Sequence, residues 1–274
     1  MSSSPVRLGI VGCAGRMGRA IVCAAEKEPR VRIVGGVALP SHAAQTLSDM
    51  SGVKNSALNV YPHTDVKTLL SEREIDVLID FSLPDNVPDT LEAAAQRKTA
   101  VVVGVTGLSP EQRDAMRDAA QAIPLLYSAT MSKGVNMLLA MTKKIAALTG
   151  ESFDVEITEM HHRHKIDAPS GVAIALGKAA AEGRSVEFSK KAKFAREGRV
   201  GARPAGEIGF SVLRGGSVFG DHTVLFAGEN EHIALSHSAR NRDVFADGAV
   251  LAALSLFGKP AGMYSMADVL DLGL

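Results

Sequence analysis

The first half of this chain alternates short apolar runs with longer amphipathic stretches, and no other feature restricts its fold as much. Val6 to Gly12, Val31 to Ala38, Asp76 to Phe81, Ala100 to Val105 and Ile123 to Ser128 are mostly apolar runs of strand length. Arg16 to Glu28, Pro84 to Lys98 and Ser109 to Ala122 repeat apolar residues at helical spacing. Ser109-Pro110-Glu111 opens the last of these with a cap and a first-turn proline. Apolar strands separated by helices predict a parallel sheet covered by helices on both faces. The 274 residues are 46% hydrophobic, enough for a sizeable core, and only 4% aromatic, so that core is mostly aliphatic.

From about Met131 the pattern changes. Val135 to Leu148 reads as a long helix, and Phe153 to Met160 alternates as a half-buried strand does. Gly171 to Glu182 reads as a helix after Pro169-Ser170. Ser185 to Gly206, rich in Gly, Arg and Lys, reads as a mobile loop. Ile208 to Leu213, Ser217 to Ala227 and His232 to Ser238 are strand-like runs joined by short turns, which predicts an antiparallel or mixed sheet. A helix over Val244 to Leu256 follows. The expected fold class is therefore α/β, with a Rossmann-like dinucleotide-binding domain and a smaller α+β domain with a mixed sheet.

Thirty Lys+Arg balance thirty Asp+Glu, so the global charge predicts no nucleic-acid and no acidic-membrane partner. The longest aliphatic stretches fall far short of the ~20 residues that cross a bilayer as a helix. Met1-Ser2-Ser3-Ser4-Pro5 lacks the basic start of a secretory leader. The two cysteines, Cys13 and Cys23, cannot form a disulfide framework. Both are expected in the first helical region, in a reducing, cytoplasmic compartment.

Gly12-Cys13-Ala14-Gly15-Arg16-Met17-Gly18 follows the first strand and opens the first helix. Glycines three apart allow a sharp turn and close approach to a pyrophosphate, which the helix amides then face. A plain strand-to-helix turn would need the same glycines, but the position after strand one favours dinucleotide binding. The acidic residue usual at the end of the second strand is absent. Ala38 stands there, and no Asp or Glu occurs between Glu28 and Asp49. The choice between NADPH and NADH therefore stays open. Gly104-Val105-Thr106-Gly107 follows another strand, where either a ligand loop or an ordinary turn fits.

Glu159 to Gly171 is the most informative stretch. It places three histidines within four residues, His161, His162 and His164, interleaved with Arg163 and Lys165. The spacing is poor for zinc and lacks the His-Glu-x-x-His pattern, so no metal is expected. A proton-donating, anion-binding loop fits better. His161 is a general acid suited to neutral pH, and Lys165 supplies fixed positive charge. Ser170 or Asp167 caps the next helix, whose Ser170, Gly171 and Val172 amides offer a second carboxylate pocket. Two cationic pockets on one loop fit a small dicarboxylate.

Gly-x-x-Gly-Arg-Met-Gly at 12–18, with Glu-x-His-His-x-x-Lys-x-Asp-Ala-Pro-Ser-Gly at 159–171, resembles the dihydrodipicolinate (4-hydroxy-tetrahydrodipicolinate) reductase family. The likeness runs end to end. It takes in Ser132-x-Gly134-Val135-Asn136, Arg196-Glu197-Gly198, Ile208-Gly209-Phe210, Gly220-Asp221-His222-Thr223 and Asp268-Val269-Leu270. It implies NADPH- or NADH-dependent reduction of 4-hydroxy-tetrahydrodipicolinate to tetrahydrodipicolinate in the diaminopimelate route to lysine. By position, His161 is then the proton donor and Lys165 the second one. His162 and the Gly171–Val172 backbone contact substrate carboxylates. Gly12 to Met17, Gly104 to Thr106, and Ser128, Ala129, Thr130 and Met131 line the cofactor site.

The resemblance further implies a nucleotide-binding domain built from both chain ends, 1–130 and 241–274, and a substrate and oligomerisation domain, 131–240, that assembles a homotetramer. Four positions depart from the family pattern. Ala38 replaces an acid, Val105 a Thr, Thr130-Met131 an Asn-Phe type pair, and Val172 a Thr whose hydroxyl meets substrate. Two other readings compete: a dinucleotide-binding sensor without catalysis, and another amino- or imino-acid dehydrogenase. His161 and Lys165 argue against the first, and Asp167-Ala168-Pro169-Ser170-Gly171 against the second.

Overall fold

The computed structural model describes residues 4–272. Met1–Ser3, and the last two residues of the expected 241–274 segment, lie outside the described residues. In chain order the fold begins β1 (Val6–Val11), α1 (Arg16–Ala25), β2 (Val31–Val37), α2 (Leu47–Ser51), α3 (Val66–Glu72), β3 (Val77–Asp80), α4 (Val87–Arg97), β4 (Ala100–Val103), α5 (Pro110–Ala119) and β5 (Pro124–Tyr127). It continues with α6 (Lys133–Thr149), β6 (Asp154–His161), α7 (Gly171–Gly183), α8 (Phe188–Lys191), β7 (Ala192–Lys193), β8 (Ile208–Arg214), β9 (Gly220–Ala227) and β10 (His232–Ala239). It closes with α9 (Asp243–Leu256), β11 (Gly262–Tyr264) and α10 (Met266–Val269). Two compact units result, one from residues up to Lys133 together with those from Arg242 on, the other from Gly134–Asn241.

The first unit holds a six-stranded sheet in the order β11-β5-β4-β3-β1-β2, with every pairing parallel. The two-residue period of a strand divides its apolar side chains between two cores. Leu8, Ile10, Val77, Ile79 and Val102 pack against α1 and α9. Leu78, Val101, Val103 and Leu125 pack against α3, α4 and α5. Small residues let α9 lie close: Ala246, Ala249, Ala252 and Ala253 are fully buried, and Gly248 sits against the Met131 carbonyl. As expected, Ser109 caps α5, accepting from the Gln112 amide while the Gln112 side chain accepts in return. Cys13 lies in the loop before α1 rather than on it, because Gly12 turns the chain first.

The second unit is a five-stranded mixed sheet, β10-β9-β6-β8-β7. β8 and β9 follow one another closely in sequence yet do not pair. β6 lies between them, parallel to β8 and antiparallel to β9. The short link after β8 therefore passes over the end of β6, where Gly215 donates its amide to the His161 carbonyl at 3.0 Å. One sheet face packs on α6 and α7 through Val155, Ile157, Ile208, Phe210, Val224, Phe226, Leu138, Ala173 and Leu176.

The segment read as a mobile loop, Ser185–Gly206, contains α8 and β7. Arg196 and Arg203 tie it to Glu156 and Asp154 on β6, and Phe188 and Phe194 stack on Phe210. Those partners are distant in sequence, which is why local composition misreads it.

Candidate active site

One candidate surface lies at the carboxyl ends of β1 and β3. There the sheet order reverses, because β2 lies on one side of β1 and β3 on the other. Parallel sheets leave a crevice at such a point. The chain leaves β1 through Gly12 at φ +80°, a conformation open mainly to glycine. A Cβ there would also stand 2.9 Å from the Phe81 carbonyl oxygen. At Gly18 a Cβ would stand 2.2 Å from the Gly12 carbonyl oxygen, so the first turn of α1 lies directly on the loop. No side chain caps α1 at Gly15, so its first-turn amides are left for an anion.

Beside this loop is a cavity of about 660 Å³ lined by Gly12, Ala14, Gly15, Ala38, Leu39 and Leu83, with His42 and Lys67 as its basic groups. Leu39 and Leu83 are each 61% exposed, two apolar side chains at the cavity wall. These features suit a dinucleotide: glycine cradles that a Cβ would fill, uncapped amides, and an apolar slot.

The remaining expected cofactor residues are placed unevenly. Cys13 faces inward, with Sγ 3.2 Å from the Val37 carbonyl, and burial pushes its thiol up to about 12. Arg16 is exposed and does not line the cavity; Lys67 and His42 do, and both went unnoticed in the sequence. Met17 packs on the core. Gly104 and Thr106 follow β4, and Ser128 and Ala129 follow β5, on the same edge of the sheet but outside the cavity. A Cβ on Gly104 would meet the Phe81 ring at 2.1 Å. The Ser128 hydroxyl donates to the Thr130 carbonyl at 2.6 Å, while Val105 and Met131 are buried.

The second surface is built at the end of β6. Along this strand Val155, Ile157, Glu159 and His161 alternate onto one face. On β8 the same face carries Ile208, Phe210 and, at its end, Arg214; on β9 it carries Phe226, Val224 and His222. Pairing sets Glu159 opposite His222, and His161 opposite Arg214. The apolar stripe of three strands thus ends in a polar cluster at one edge.

Glu159 is 1% exposed and accepts four hydrogen bonds. Its Oε2 takes His161 Nδ1 at 2.6 Å and Arg214 Nη1 at 2.7 Å; its Oε1 takes the Ser170 amide at 3.0 Å and Arg214 Nη2 at 2.9 Å. Burial pushes this carboxyl up, but Arg214, His161 and the Ser170 amide outweigh it and hold it below the usual carboxylate range. An ionised Glu159 places the proton on His161 Nδ1 and leaves Nε2 as the reactive nitrogen. Gly220 leaves room for it: a Cβ there would stand 3.0 Å from Nε2.

Lys165 pairs with Asp167 at 2.7 Å and holds that carboxyl low. Asp167 offers its carbonyl to Arg214 at 2.7 Å, so Lys165 joins the His161 network through two contacts. Ser170 caps α7, accepting from the Ala173 amide at 3.1 Å, and its hydroxyl also meets His222 Nε2 at 2.9 Å. Burial, with His161 adding to it, pushes His222 down to about 4, so that ring is neutral near pH 7. Of the α7 start, Ser170 is buried, Gly171 is exposed and Val172 is partly buried. His162 follows His161 with its Nδ1 buried and unpartnered. Among the described residues no cluster could hold a metal ion. Glu159, Arg214 and His222 had a visible sequence signal: polar residues ending apolar stripes of period two.

Comparison with known proteins follows the same division. Residues 6–131 match the family model "Dihydrodipicolinate reductase, N-terminus" and residues 134–270 match "Dihydrodipicolinate reductase, C-terminus". The chain is 42% identical over 268 residues to a 4-hydroxy-tetrahydrodipicolinate reductase from Methylocella silvestris, covering 98% of both chains. It is 44% identical over 269 residues to one from Zymomonas mobilis, again covering 98% of each. The solved structure of a dipicolinate-bound dihydrodipicolinate reductase from Paenisporosarcina sp. TG-14 has the same fold. Its TM-score is 0.76 at 22% identity, over 96% of this chain and 98% of that one.

Proposed function

This chain belongs to the dihydrodipicolinate reductase family, an NAD(P)H-dependent oxidoreductase family, and on that premise we propose that it reduces 4-hydroxy-tetrahydrodipicolinate to tetrahydrodipicolinate with His161 as proton donor. The reaction serves the diaminopimelate route to lysine. The observation that carries the assignment is the 2.6 Å bond from His161 Nδ1 to buried Glu159, which turns Nε2 out as the proton-transferring nitrogen.

NADPH or NADH, when bound, supplies the hydride. The chain does the rest. The loop from Gly12 to Met17 and the start of α1 would hold the pyrophosphate, and the cavity walled by Leu39 and Leu83 would take an apolar part of the cofactor. Gly104 to Thr106 and Ser128 to Met131, at the neighbouring strand ends, complete the cofactor surface. The 4-hydroxyl would leave as water, protonated by Lys165, which Asp167 steadies, while the neighbouring ring proton returns to solvent. After hydride addition to the conjugated ring, His161 with protons on both ring nitrogens would give its Nε2 proton to the enamine-like carbon and fall back to the Nδ1–H form. The Gly171 and Val172 amides and His162 take the substrate carboxylates. Dipicolinate, which the solved relative binds, is a dicarboxylate of this class.

Ala38 neither attracts the adenosine ribose hydroxyls nor repels a 2′-phosphate, so NADPH serves at least as well as NADH. The enzyme works in the cytoplasm. A homotetramer assembles through the second unit's sheet, whose β10 edge and exposed Leu213 and Ile233 offer surface for it.

Loss of reduced-nicotinamide absorbance, with the imine made in situ from pyruvate and aspartate semialdehyde by the preceding synthase, tests the assignment. His161→Gln should slow turnover by roughly 10²–10⁴-fold and leave cofactor binding unchanged. Wild-type turnover in that variant would overturn the role of His161.

A further inference from the structure

Glu159 touches both halves of the substrate site. One oxygen holds the ring of His161, and the other holds the backbone amide of Ser170, which starts α7. Arg214 bridges the two oxygens from the far side. Two Arg214 nitrogens and the Ser170 amide can only donate, and the residue is closed to solvent, so an ionised carboxylate satisfies them and His161 Nδ1 meets it as the fourth donor. A glutamine would set its NH₂ against Arg214, and against either His161 or Ser170, in both orientations.

We propose that Glu159 is a positioning residue that sets the proton donor and the carboxylate-binding start of α7 from one buried carboxylate. The inference rests on His161 being the proton donor, as above. The bond to Nδ1 fixes which ring nitrogen reacts and stops the ring from turning. The bond to Ser170 fixes where the Gly171 and Val172 amides point. The two halves of the site then keep one spacing, which a small rigid dicarboxylate reads. The charged and titratable groups facing this pair are Arg214 on β8, His222 on β9, His237 on β10 behind His222, and Lys165 and Asp167 on the loop; Asp221, next to His222, lies on the other face of β9. Arg214 is already committed to Glu159 and the Asp167 carbonyl, so Glu159 is the anion in contact with His161.

The test is a double-variant cycle on the full chain with Glu159→Gln, His161→Gln and both together, and Glu159→Asp as the charge-keeping control. Glu159→Gln should lower kcat by about 10- to 100-fold and raise the substrate KM, with NADPH binding by fluorescence unchanged. Glu159→Asp, which keeps the charge, should recover most of the lost kcat. In the His161→Gln background, Glu159→Gln should change kcat by less than about threefold while still raising KM, since the donor it positions is absent but the start of α7 is not. Multiplying effects on kcat in the double variant, or no recovery in Glu159→Asp, would overturn the inference.

Ring nitrogen-15 shifts of His161 in the unaltered enzyme give a reading that no folding defect can confuse. With the ring in its neutral form, the Nδ1–H tautomer supports the inference and the Nε2–H tautomer defeats it. Fast turnover in His161→Gln alone would instead defeat the proton-donor assignment, and the tautomer result would tell the two failures apart.

Discussion

Arg214→Met is the most demanding perturbation of this site, because it removes a cation while keeping most of the side-chain volume. Two Arg214 nitrogens hydrogen-bond Glu159, at 2.7 and 2.9 Å, and one reaches the Asp167 carbonyl at 2.7 Å. Breaking a buried ion pair from one side costs about 3–5 kcal/mol. His161 and the Ser170 amide still serve Glu159, and the Arg214 side chain is 21% exposed and so partly screened. Both points select the lower end, about 3 kcal/mol at neutral pH.

The pH dependence carries the sharper test. In the native protein Glu159 is held below its ordinary value. Its contribution to stability is therefore complete above the unfolded value of about 4.3 and is lost as pH falls through the lower folded one. Without Arg214, the largest group offsetting burial is gone and the folded value moves upward. The penalty is therefore full at neutral pH and fades as pH falls and Glu159 is protonated. Urea unfolding of both proteins at pH 7.5 and about 4.5, at one ionic strength, measures the gap. A loss under about 1 kcal/mol at pH 7.5, or a gap equal at both pH values, would refute the electrostatic account.

Gly18→Ala should weaken NADPH binding at least about tenfold and cost about 1–3 kcal/mol of stability, since its Cβ would sit 2.2 Å from a backbone oxygen; unchanged cofactor titration would contradict that. Ala38→Glu should swing kcat/KM towards NADH by roughly 10- to 100-fold, the worth of a charged hydrogen bond gained and a 2′-phosphate repelled. A wild-type enzyme preferring NADH a hundredfold would refute the reading of that position. Cys13, buried and with its thiol pushed up to about 12, should resist a thiol reagent at pH 8 until the protein unfolds. Labelling of Cys13 in the native enzyme at the rate of a free thiol would count against its placement.

Much of this protein is local and therefore legible in the chain itself. The strand, glycine turn and helix from Val6 to Ala25 follow from apolar runs and from backbone geometry that glycine permits. The Ser109 and Ser170 caps follow from a hydroxyl placed three residues before the amide it accepts from. The candidate donor, His161, and its loop stand out because unusual side chains crowd into one short stretch. What brings that stretch together as a site is not local. Arg214 reaches Glu159 from 55 residues away, and His222 reaches Ser170 from 52.

Both depend on β6 inserting between β8 and β9, which strand-length apolar runs and short links do not reveal. The ordering of Ser185–Gly206 likewise comes from Arg196 and Arg203 finding carboxylates on β6. The three residues of β11 carry too little pattern to mark a strand until β5 supplies its hydrogen bonds. Period and capping act between neighbours in sequence, so residues alone determine them. Sheet order, and the buried carboxylate with four donors that it creates, exist only once the folded chain brings distant segments into register.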